Sequence, residues 1–359
     1  MKFKKYFRWI KFYFSKIPFY TIFYVTSRCN ARCAHCFNWR LVDSSSQRKE
    51  LTLEEIEKIA KNWGDILILN LTGGEPYLRE DLAEIVGLFK KYTGVEIIAI
   101  PSNGFLTDKI LEMVKNLLKK FPDLYFRFAF SIDGIGEKHD EIRGVPGGFE
   151  KVIKTVKEVK KLKKEYKNFS IFTNSCFMQL NQDNFLDVLK YIKENLDVDT
   201  MSVTYIRGDA KLNEAKKNLY NEKYQEAINY VSKLNRSNFK NHPLSNFIWN
   251  ITAFTREKVL ENLKINKRNF ECYAIRKMIV LEDTGEVKIC EMLPTSLGNL
   301  RNNDYDIKKI VLSDFAQSEY KKIKNHNCNC TWECAIRTGV IYNPKEYFSI
   351  LRYAFKIRR

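Results

Sequence analysis

The sequence lacks the features that would assign it to a membrane-spanning or secreted class. Its 359 residues contain no uninterrupted apolar run of roughly 18 or more, the length that a transmembrane helix needs. The N-terminus interleaves charge with apolar residues and has no small-residue cleavage site, so it is a poor signal peptide. Internal repeats and low-complexity tracts are also missing. With 45% hydrophobic residues, the chain can bury a sizeable core, as two domains or as one domain with an appendage.

Acidic residues are scarce relative to basic ones, and residues 2–17 contain none. The net charge of +18 favours an anionic partner, such as a membrane surface, nucleic acid or a phosphorylated substrate. Basic residues recur at helical spacing near both ends of the chain: Lys4, Arg8 and Lys11, and then Arg352, Lys356 and Arg359. Two interpretations stay open. The end segments form amphipathic helices that lie on an anionic membrane, or their aromatic side chains pack on the fold while the basic ones face water.

The nine cysteines fall into tight local groups, one near each end of the chain, with Cys176 alone between them. An odd number of cysteines in such groups favours metal ligation in a reducing compartment over a disulfide framework. We therefore expect a cytoplasmic protein, peripheral at the inner face of the membrane if its basic ends bind lipid. The alternative is that the cysteines are scattered structural residues.

Strand-like and helical patterns alternate strictly between residues 20 and 209. Six segments are predicted to be strands: residues 21–26, 66–73, 96–104, 125–133, 170–177 and 200–208. The first intervening helix begins with a capping-box pattern, in which Thr52 is followed by Glu55. This alternation implies parallel βαβ units with the helices outside. We predict an α/β fold, a partial (β/α)6 barrel of the TIM type, with an active site at the carboxyl ends of its strands.

The pattern changes from about residue 210. Residues 210–268 are predicted to be a polar helical connector. Residues 269–340 are rich in cysteine and contain a hairpin signal in MIVLEDTGEVKIC. We expect a small C-terminal cysteine-rich α+β domain there, with the basic segments 1–19 and 341–359 at the two ends of the chain.

Three cysteines, Cys29, Cys33 and Cys36, follow the first predicted strand with C-x3-C-x2-C spacing. Thiolates this close together can share one metal centre. A structural zinc site needs four ligands, and the nearby His35 lies inside the loop between two of the cysteines. A [4Fe–4S] cubane can accept three thiolates and leave one iron open. This spacing, after the first strand of a βα barrel, resembles the radical S-adenosylmethionine (radical SAM) superfamily.

Motifs at the next three strand ends extend the resemblance. GGEP ends the second strand, where the family holds the methionine amino group, and a carboxylate beside a glycine turn suits an ammonium group. PSNG and SIDG end the third and fourth strands, where the family approaches the methionine carboxylate and the ribose, although both are also ordinary turn signals. The resemblance implies these cofactor contacts: Gly73, Gly74, Glu75, Pro76, Ser102, Asn103, Ser131, Asp133 and Arg143. Arg143 could instead cap a helix.

The chemistry of the family follows as an implication of the resemblance. The open iron chelates the amino and carboxylate groups of S-adenosylmethionine. One electron, from a flavodoxin- or ferredoxin-like donor, then cleaves the sulfonium, and the resulting 5′-deoxyadenosyl radical abstracts hydrogen from a substrate. The protein would orient the cofactor and exclude water.

The last group of cysteines contains a G-x4-C segment and the sequence CNCTWEC; its members are Cys272, Cys290, Cys328, Cys330 and Cys334. This group resembles the SPASM or twitch extension of radical SAM enzymes, which carries auxiliary iron–sulfur clusters. Longer SPASM domains have more cysteines, so five favour one auxiliary [4Fe–4S] cluster and a spare thiol, which the sequence does not single out. Tetrahedral zinc is the alternative for this group.

Cys176 falls on the fifth predicted strand. A lone cysteine is usually a small core residue. If Cys176 faces the cavity, it could donate hydrogen or an electron to a substrate radical, which makes it our candidate catalytic residue. Tyr205, Arg207 and Asp209, near the end of the sixth strand, are further pocket candidates without an assigned role.

Two substrate classes fit the resemblance. Enzymes with such extensions modify ribosomal peptides or protein side chains, whereas the basic aromatic ends favour a membrane lipid or a lipid-linked sugar. The alternative outside this chemistry is a zinc-stabilised module that binds nucleic acid or protein. Nucleic acid is the weaker partner, because the basic residues are dispersed through helices and no known nucleic-acid-binding module is present.

Overall fold

The computed structural model describes residues 11–238, 245–325 and 328–356, apart from the side chains of residues 236–238, 245–250 and 351–356. Nine strands form a single sheet: β1 (Tyr20–Thr26), β2 (Ile68–Gly73), β3 (Ile97–Ser102), β4 (Tyr125–Ser131), β5 (Phe169–Phe177), β6 (Thr200–Tyr205), β7 (Met278–Leu281), β8 (Glu286–Lys288) and β9 (Ser296–Asn299).

Thirteen α-helices of the described chain surround this sheet. They are α1 (Trp39–Asp43), α2 (Leu53–Trp63), α3 (Leu82–Thr93), α4 (Thr107–Lys120), α5 (Glu137–Arg143), α6 (Gly148–Lys161), α7 (Phe185–Asn195), α8 (Asn221–Asn238), α9 (Ser245–Ile265), α10 (Ile307–Val311), α11 (Asp314–Asn325), α12 (Glu333–Tyr342) and α13 (Lys345–Lys356). No helix in these ranges is both long enough and apolar enough to cross a bilayer.

Strands β1 to β6 run parallel in sequential order, with helices between them, as the alternation predicts. Within the described chain β6 lies at an edge of the sheet and does not pair with β1, so the barrel is open. Along β3, β4 and β6 the side chains that face the helices are buried, and most of the alternate ones, which face the lumen, are partly exposed. The predicted α/β fold with a partial barrel is confirmed.

The C-terminal hairpin extends the barrel sheet instead of forming a separate one. Strand β7 pairs in parallel with β1, from Tyr20 opposite Met278 to Phe23 opposite Leu281, and β8 and β9 continue antiparallel. Because β1 also pairs with β2, the first barrel strand is hydrogen-bonded on both sides. The cysteine-rich region is therefore attached directly to the strand that leads into the C-x3-C-x2-C loop.

The described parts of the two chain ends pack together. Phe12 is buried against Phe19, Leu67 and Tyr342, as the packing interpretation expects. The buried ammonium of Lys277 donates three hydrogen bonds of 2.6–2.8 Å, to the carbonyl groups of Phe12, Tyr13 and Ser15. Of the basic residues, Lys11 pairs with Asp65. Lys4, Arg8 and Arg359, and the side chains of Arg352 and Lys356, lie outside the described residues.

An ion pair joins helix α2 of the barrel to the C-terminal region. Thr52 and Glu55 form the predicted capping box. Arg301, which follows β9, donates to both carboxylate oxygens of Glu55 at 2.7 and 2.8 Å, and this holds the pKa of Glu55 down to about 2. The carboxylate thus stabilises the helix start and the docking of β9 at once.

Glu55→Gln is expected to lower the free energy of unfolding by about 1.5–3 kcal/mol, because it removes a charge-assisted pair of hydrogen bonds. Chemical denaturation measures this loss. The pKa of Glu55 is lower in the folded chain, so its contribution is complete above its usual pKa and disappears as the pH falls toward 2.

Glu57→Gln, on the same helix but in an exposed pair with Lys61, is the matched control and should change stability little. Equal effects of the two substitutions, or an unchanged acid dependence in Glu55→Gln, would contradict this role of the ion pair.

Candidate functional site

The cysteine loop follows β1 and is fixed against the last turn of helix α5. The backbone N–H of Arg32 donates to the carbonyl of Arg143 at 3.0 Å, and that of Ala34 donates to the carbonyl of Ile142 at 2.9 Å. At Gly144 a Cβ atom would lie 2.9 Å from the carbonyl oxygen of Arg32, so glycine permits this close approach. The loop conformation therefore depends on the segment that follows SIDG.

The three thiols of the loop share one partly buried pocket. Burial raises the pKa of Cys29 to about 12 and that of Cys36 to about 11, and the neighbouring loop thiols add to both shifts. Glu75 also raises the pKa of Cys29, which places that carboxylate beside the thiols. Iron binding would displace the thiol protons, as it does at any cysteine ligand.

No three His, Cys, Asp or Glu side chains in the described ranges stand close enough together to hold a single metal ion. A cubane offers several iron atoms, each to its own thiolate, so its ligands need not converge on one point.

The two glycines of GGEP allow β2 to approach the start of the cysteine loop. A Cβ atom at Gly73 would lie 2.3 Å from the carbonyl oxygen of Thr26, and one at Gly74 would lie 2.1 Å from that of Arg28. The backbone N–H groups of Gly74 and Glu75 donate to these two carbonyls, both at 2.8 Å. The turn therefore uses these N–H groups to hold the loop, and it presents the Glu75 side chain to the pocket. Pro76 follows as the first residue of a buried 3₁₀ turn.

Glu75 is buried and connects three of the predicted motifs. Its carboxylate accepts hydrogen bonds from the Ser102 hydroxyl and from the Asn103 backbone N–H, both at 2.8 Å. Burial nevertheless raises the pKa of Glu75 to about 7, and no ion pair to it occurs in the described chain. The Asn103 amide donates to Asn30 in the cysteine loop at 2.7 Å, a contact between distant segments that no sequence motif predicts. A buried carboxylate with neutral donors around it fits an ammonium group.

Asp133 and Arg143 form a buried ion pair at 2.5 Å. Burial alone would raise the pKa of Asp133, but the positive charge of Arg143 and the neighbouring His35 hold it below its usual range. Arg143 also donates to the Cys33 sulfur at 3.6 Å. Burial lowers the pKa of His35 to about 4, so this residue is a neutral neighbour of Asp133 at pH 7. The sequence left two roles open for Arg143, a contact with the cofactor or a helix cap. In the structure, Arg143 pairs with an acid of the chain itself, Asp133.

Cys176 lies on the lumen face of β5, half-buried, and its backbone N–H donates to Asp133 at 2.7 Å. Burial raises the pKa of this thiol to about 12, so it is protonated at neutral pH. Asn181 donates to the carbonyls of Asp133 and Cys176, both at 2.9 Å, and no sequence signal pointed to it. Ser131 ends β4 beside this group, half-buried.

Four of the five C-terminal thiols form one group. Burial raises the pKa of Cys330 well above its usual value, and Cys272, Cys328 and Cys290 raise it further, so all four thiols are neighbours. Two N–H groups donate to these sulfurs, from Arg268 to Cys328 at 3.5 Å and from Met292 to Cys290 at 3.4 Å.

Cys334 lies apart from this group. Its sulfur accepts a hydrogen bond from the Tyr20 hydroxyl at 3.2 Å, and burial and then Glu291 raise its pKa. The structure thus separates Cys334 from the other four thiols. None of the nine cysteines, all of which lie in the described ranges, forms a disulfide.

The open side of the lumen is bridged by an ion pair. Arg207, just after β6, donates to Glu291 at 2.9 Å, and the Tyr24 hydroxyl on β1 donates to the same carboxylate at 3.2 Å. Of the three pocket candidates near β6, only Arg207 has such a position. Asp209 pairs with the exposed Arg40 at the surface, and Tyr205 packs between aromatic rings with its hydroxyl on Asn221.

Comparison with known proteins agrees with this geometry. Residues 23–192 match the profile of the radical SAM superfamily. This chain contains a radical SAM domain. The domain spans the cysteine loop, the three strand-end motifs and Cys176, so all the residues that meet at the carboxyl ends of β1 to β5 belong to it.

Two sequence relatives extend the comparison. The chain is 31% identical over 191 residues to GTP 3′,8-cyclase of Aquifex aeolicus, which covers 51% of this chain and 55% of that protein. The antilisterial bacteriocin subtilosin biosynthesis protein AlbA of Bacillus subtilis is 27% identical over 303 residues, 81% of this chain and 59% of that protein. The chain thus spans little more than half of the length of these relatives.

Two solved structures share the fold. Native anSMEcpe with bound AdoMet superposes with a TM-score of 0.59 at 18% identity, over 94% of this chain and 98% of that one. Streptococcus suis SuiB superposes with a TM-score of 0.61 at 17% identity, over 88% and 70%. The radical SAM domain and the C-terminal region are therefore arranged together as in these proteins.

A radical SAM domain uses a [4Fe–4S] cluster and S-adenosylmethionine, and the residues described above fit both. Three neighbouring thiols, Cys29, Cys33 and Cys36, could supply ligands for the cluster. Beside them Glu75 is a buried carboxylate with neutral donors only, and the Arg143 Nε–H has no hydrogen-bond partner in the described chain. These groups can receive the ammonium and an anionic group of an amino acid, respectively.

Gly74→Ala is expected to displace the cysteine loop, because the added methyl would meet backbone oxygen rather than a movable side chain. Iron bound per chain after anaerobic reconstitution should fall relative to wild type. Gly87→Ala is the matched control, since its Cβ would make only ordinary contact, at 3.4 Å from the Phe121 ring. Equal iron in wild type and Gly74→Ala would contradict the role of the GGEP turn.

Proposed function

We propose that this protein is a radical SAM enzyme in which Cys29, Cys33 and Cys36 hold the catalytic [4Fe–4S] cluster. The observation that carries the proposal is that one pocket contains these three thiols, the Glu75 carboxylate and the Asp133–Arg143 ion pair. When bound and reduced by one electron, the cluster and S-adenosylmethionine supply a 5′-deoxyadenosyl radical that abstracts hydrogen from a substrate.

The residues of the chain bind and orient the cofactor in this proposal. The methionine ammonium would bind to Glu75, whose orientation is fixed by Ser102 and Asn103. Arg143, held by Asp133, faces Cys33 and is placed to attract the methionine carboxylate. Gly73, Gly74 and Pro76 shape the turn, and Ser131 lies at the β4 end where the ribose would approach. Burial of the pocket excludes water.

We further propose that Cys272, Cys290, Cys328 and Cys330 hold an auxiliary [4Fe–4S] cluster and that Cys334 does not. The four grouped thiols and the two N–H···S contacts support this assignment. Thiolate-rich sites with N–H donors to sulfur suit iron–sulfur clusters, and four thiols alone would also suit zinc, so metal analysis has to distinguish the two.

Iron and zinc per chain, measured after anaerobic reconstitution, test both cluster assignments. Two cubanes predict about eight irons in wild type and about four after alanine replacement of Cys29, Cys33 and Cys36. Cys334→Ala is the matched single-cysteine control and should keep about eight, whereas Cys330→Ala should lose up to about four.

About four irons in wild type, with zinc retained by the loop variant, would show that the four C-terminal thiols bind zinc and not an iron–sulfur cluster. No iron in any variant would contradict the proposed function. With dithionite and S-adenosylmethionine, wild type should form 5′-deoxyadenosine and the loop variant should not.

The substrate that the comparisons favour is a peptide. AlbA is a bacteriocin biosynthesis protein, and SuiB and anSMEcpe have been solved with the precursor peptide SuiA and with the Cp18Cys peptide. A nucleotide is the second candidate, because the GTP 3′,8-cyclases have the higher identities, although over half of the chain. A lipid, a lipid-linked sugar and a membrane surface have no support among the relatives. Hydrogen transfer from deuterated peptide or GTP into 5′-deoxyadenosine would distinguish the two candidates.

Cys176 remains our proposed donor of hydrogen to the substrate radical. The position of Cys176 supports this proposal. Its protonated thiol lies on the lumen face of β5, and its backbone N–H donates to Asp133, a predicted cofactor contact. Cys176→Ala should retain 5′-deoxyadenosine formation and lose the substrate-derived product. Unchanged product formation would assign Cys176 to lumen packing instead.

A further inference from the structure

The lumen of the barrel contains an arginine on its central wall. In β4 the buried residues Phe126, Phe128 and Phe130 face the helices, so Arg127 between them faces the lumen, partly buried. Its register neighbours are small, Ala99 on β3 and Ser170 on β5.

A second arginine approaches from the C-terminal region. On α12 the partly exposed residues Glu333, Cys334 and Arg337 recur on one face, and the Tyr20–Cys334 hydrogen bond fixes that face against β1. Burial lowers the pKa of Arg127, and the positive charge of Arg337 lowers it further. The two guanidinium groups are therefore close enough to repel each other.

Neither guanidinium is neutralised by the chain. Within the described residues no carboxylate oxygen lies within 4.0 Å of Arg127 or Arg337, and neither side chain makes a hydrogen bond there. The residues outside the described ranges contain no aspartate or glutamate that could supply one. The guanidinium carbon of Arg127 lies 6.0 Å from the centre of the Phe172 ring, a cation–π contact.

Two acids lie nearby, and neither forms an ion pair with Arg127 or Arg337 in the described chain. Glu291 pairs with Arg207. Burial raises the pKa of Glu333. The positive charges of three guanidinium groups oppose this rise, Arg256 most strongly and then Arg337 and Arg207. Four arginines thus face two carboxylates in this part of the molecule, which leaves an excess of positive charge.

Positive charges that are withdrawn from water without a counter-charge are costly. An anion would relieve that cost, and two guanidinium groups match the paired oxygens of a carboxylate or a phosphate. We propose that Arg127 and Arg337 form a binding site for an anionic group of the substrate, a carboxylate or a phosphate, in the barrel lumen.

The position of this site sets a length for the substrate. Arg127 precedes Ser131, the last residue of β4, by four positions, which is about 13 Å along a strand. The anionic group would therefore bind on the order of 10–13 Å from the cofactor end of the lumen. This inference rests on the proposed function, since it assigns the anion to the substrate of the same site. It predicts an elongated substrate with a negative charge remote from the hydrogen that is removed.

The thermal unfolding midpoint of the reconstituted protein tests the site directly. Sodium phosphate and sodium glutarate are each titrated against sodium chloride at matched ionic strength. At least one of the two should raise the wild-type midpoint. Arg127→Gln and Arg337→Gln should each weaken the binding of that anion about tenfold or more. A rise with phosphate alone assigns a phosphate ligand, and a rise with glutarate alone assigns a carboxylate.

Arg276→Gln is the matched control and should retain the anion effect, because Arg276 stacks on Tyr320, 4.4 Å from the ring centre, and bonds to Gln317. Loss of an unpaired cation should not lower the thermal unfolding midpoint in sodium chloride. If Arg127→Gln fails to fold, Arg127→Lys replaces it in the titration.

No anion-specific rise in wild type, or an equal rise in both lumen variants, would overturn the site. Formation of 5′-deoxyadenosine, measured on the same samples, keeps the two proposals separate. Retained cleavage without an anion effect rejects the anion site alone, whereas absent cleavage rejects the proposed function.

Discussion

The buried ion pair between Asp133 and Arg143 is the contact on which the carboxyl end of the barrel depends. The carboxylate also accepts the backbone N–H of Cys176, so it joins β4 to β5, and the carbonyl of Arg143 accepts the N–H of Arg32 in the cysteine loop. Removing one member would leave an uncompensated buried charge, a loss of about 3–5 kcal/mol. The position of the loop thiols thus follows from an interaction three strands away in the sheet, and the motif SIDG has a structural role beside any contact with a cofactor.

The C-terminal region completes the lumen that the barrel leaves open. Strand β7 extends the sheet from β1, while Glu291 reaches Arg207 at the end of β6, so the two edges of the open barrel are connected through this region. Cys334 and Arg337 on α12 then form part of the lumen wall. The C-terminal region and the radical SAM domain are therefore joined both by strand pairing and by a side-chain ion pair.

Much of this arrangement could be predicted from the sequence, because it is encoded locally. Alternation of strand and helix patterns predicts all six barrel strands, the Thr52–Glu55 box marks the start of α2, and the cysteine spacing marks the loop. Contacts between distant segments could not be predicted. The β1–β7 pairing, the separation of Cys334 from the other four thiols and the choice of Asp133 as the partner of Arg143 all depend on tertiary packing. Arg127 is not among the pocket residues predicted from the sequence, because only the fold shows that its face of β4 lines the lumen.

The most direct test of the account is electron paramagnetic resonance of the reduced, reconstituted protein with and without S-adenosylmethionine. The central claim is that the loop cluster and the pocket around Glu75 and Arg143 form one cofactor site. It predicts that S-adenosylmethionine changes the signal of one cluster and leaves the other unchanged. It also predicts that the responsive signal is missing when Cys29, Cys33 and Cys36 are replaced by alanine. A spectrum that contains a cluster signal but does not respond to S-adenosylmethionine would contradict the account.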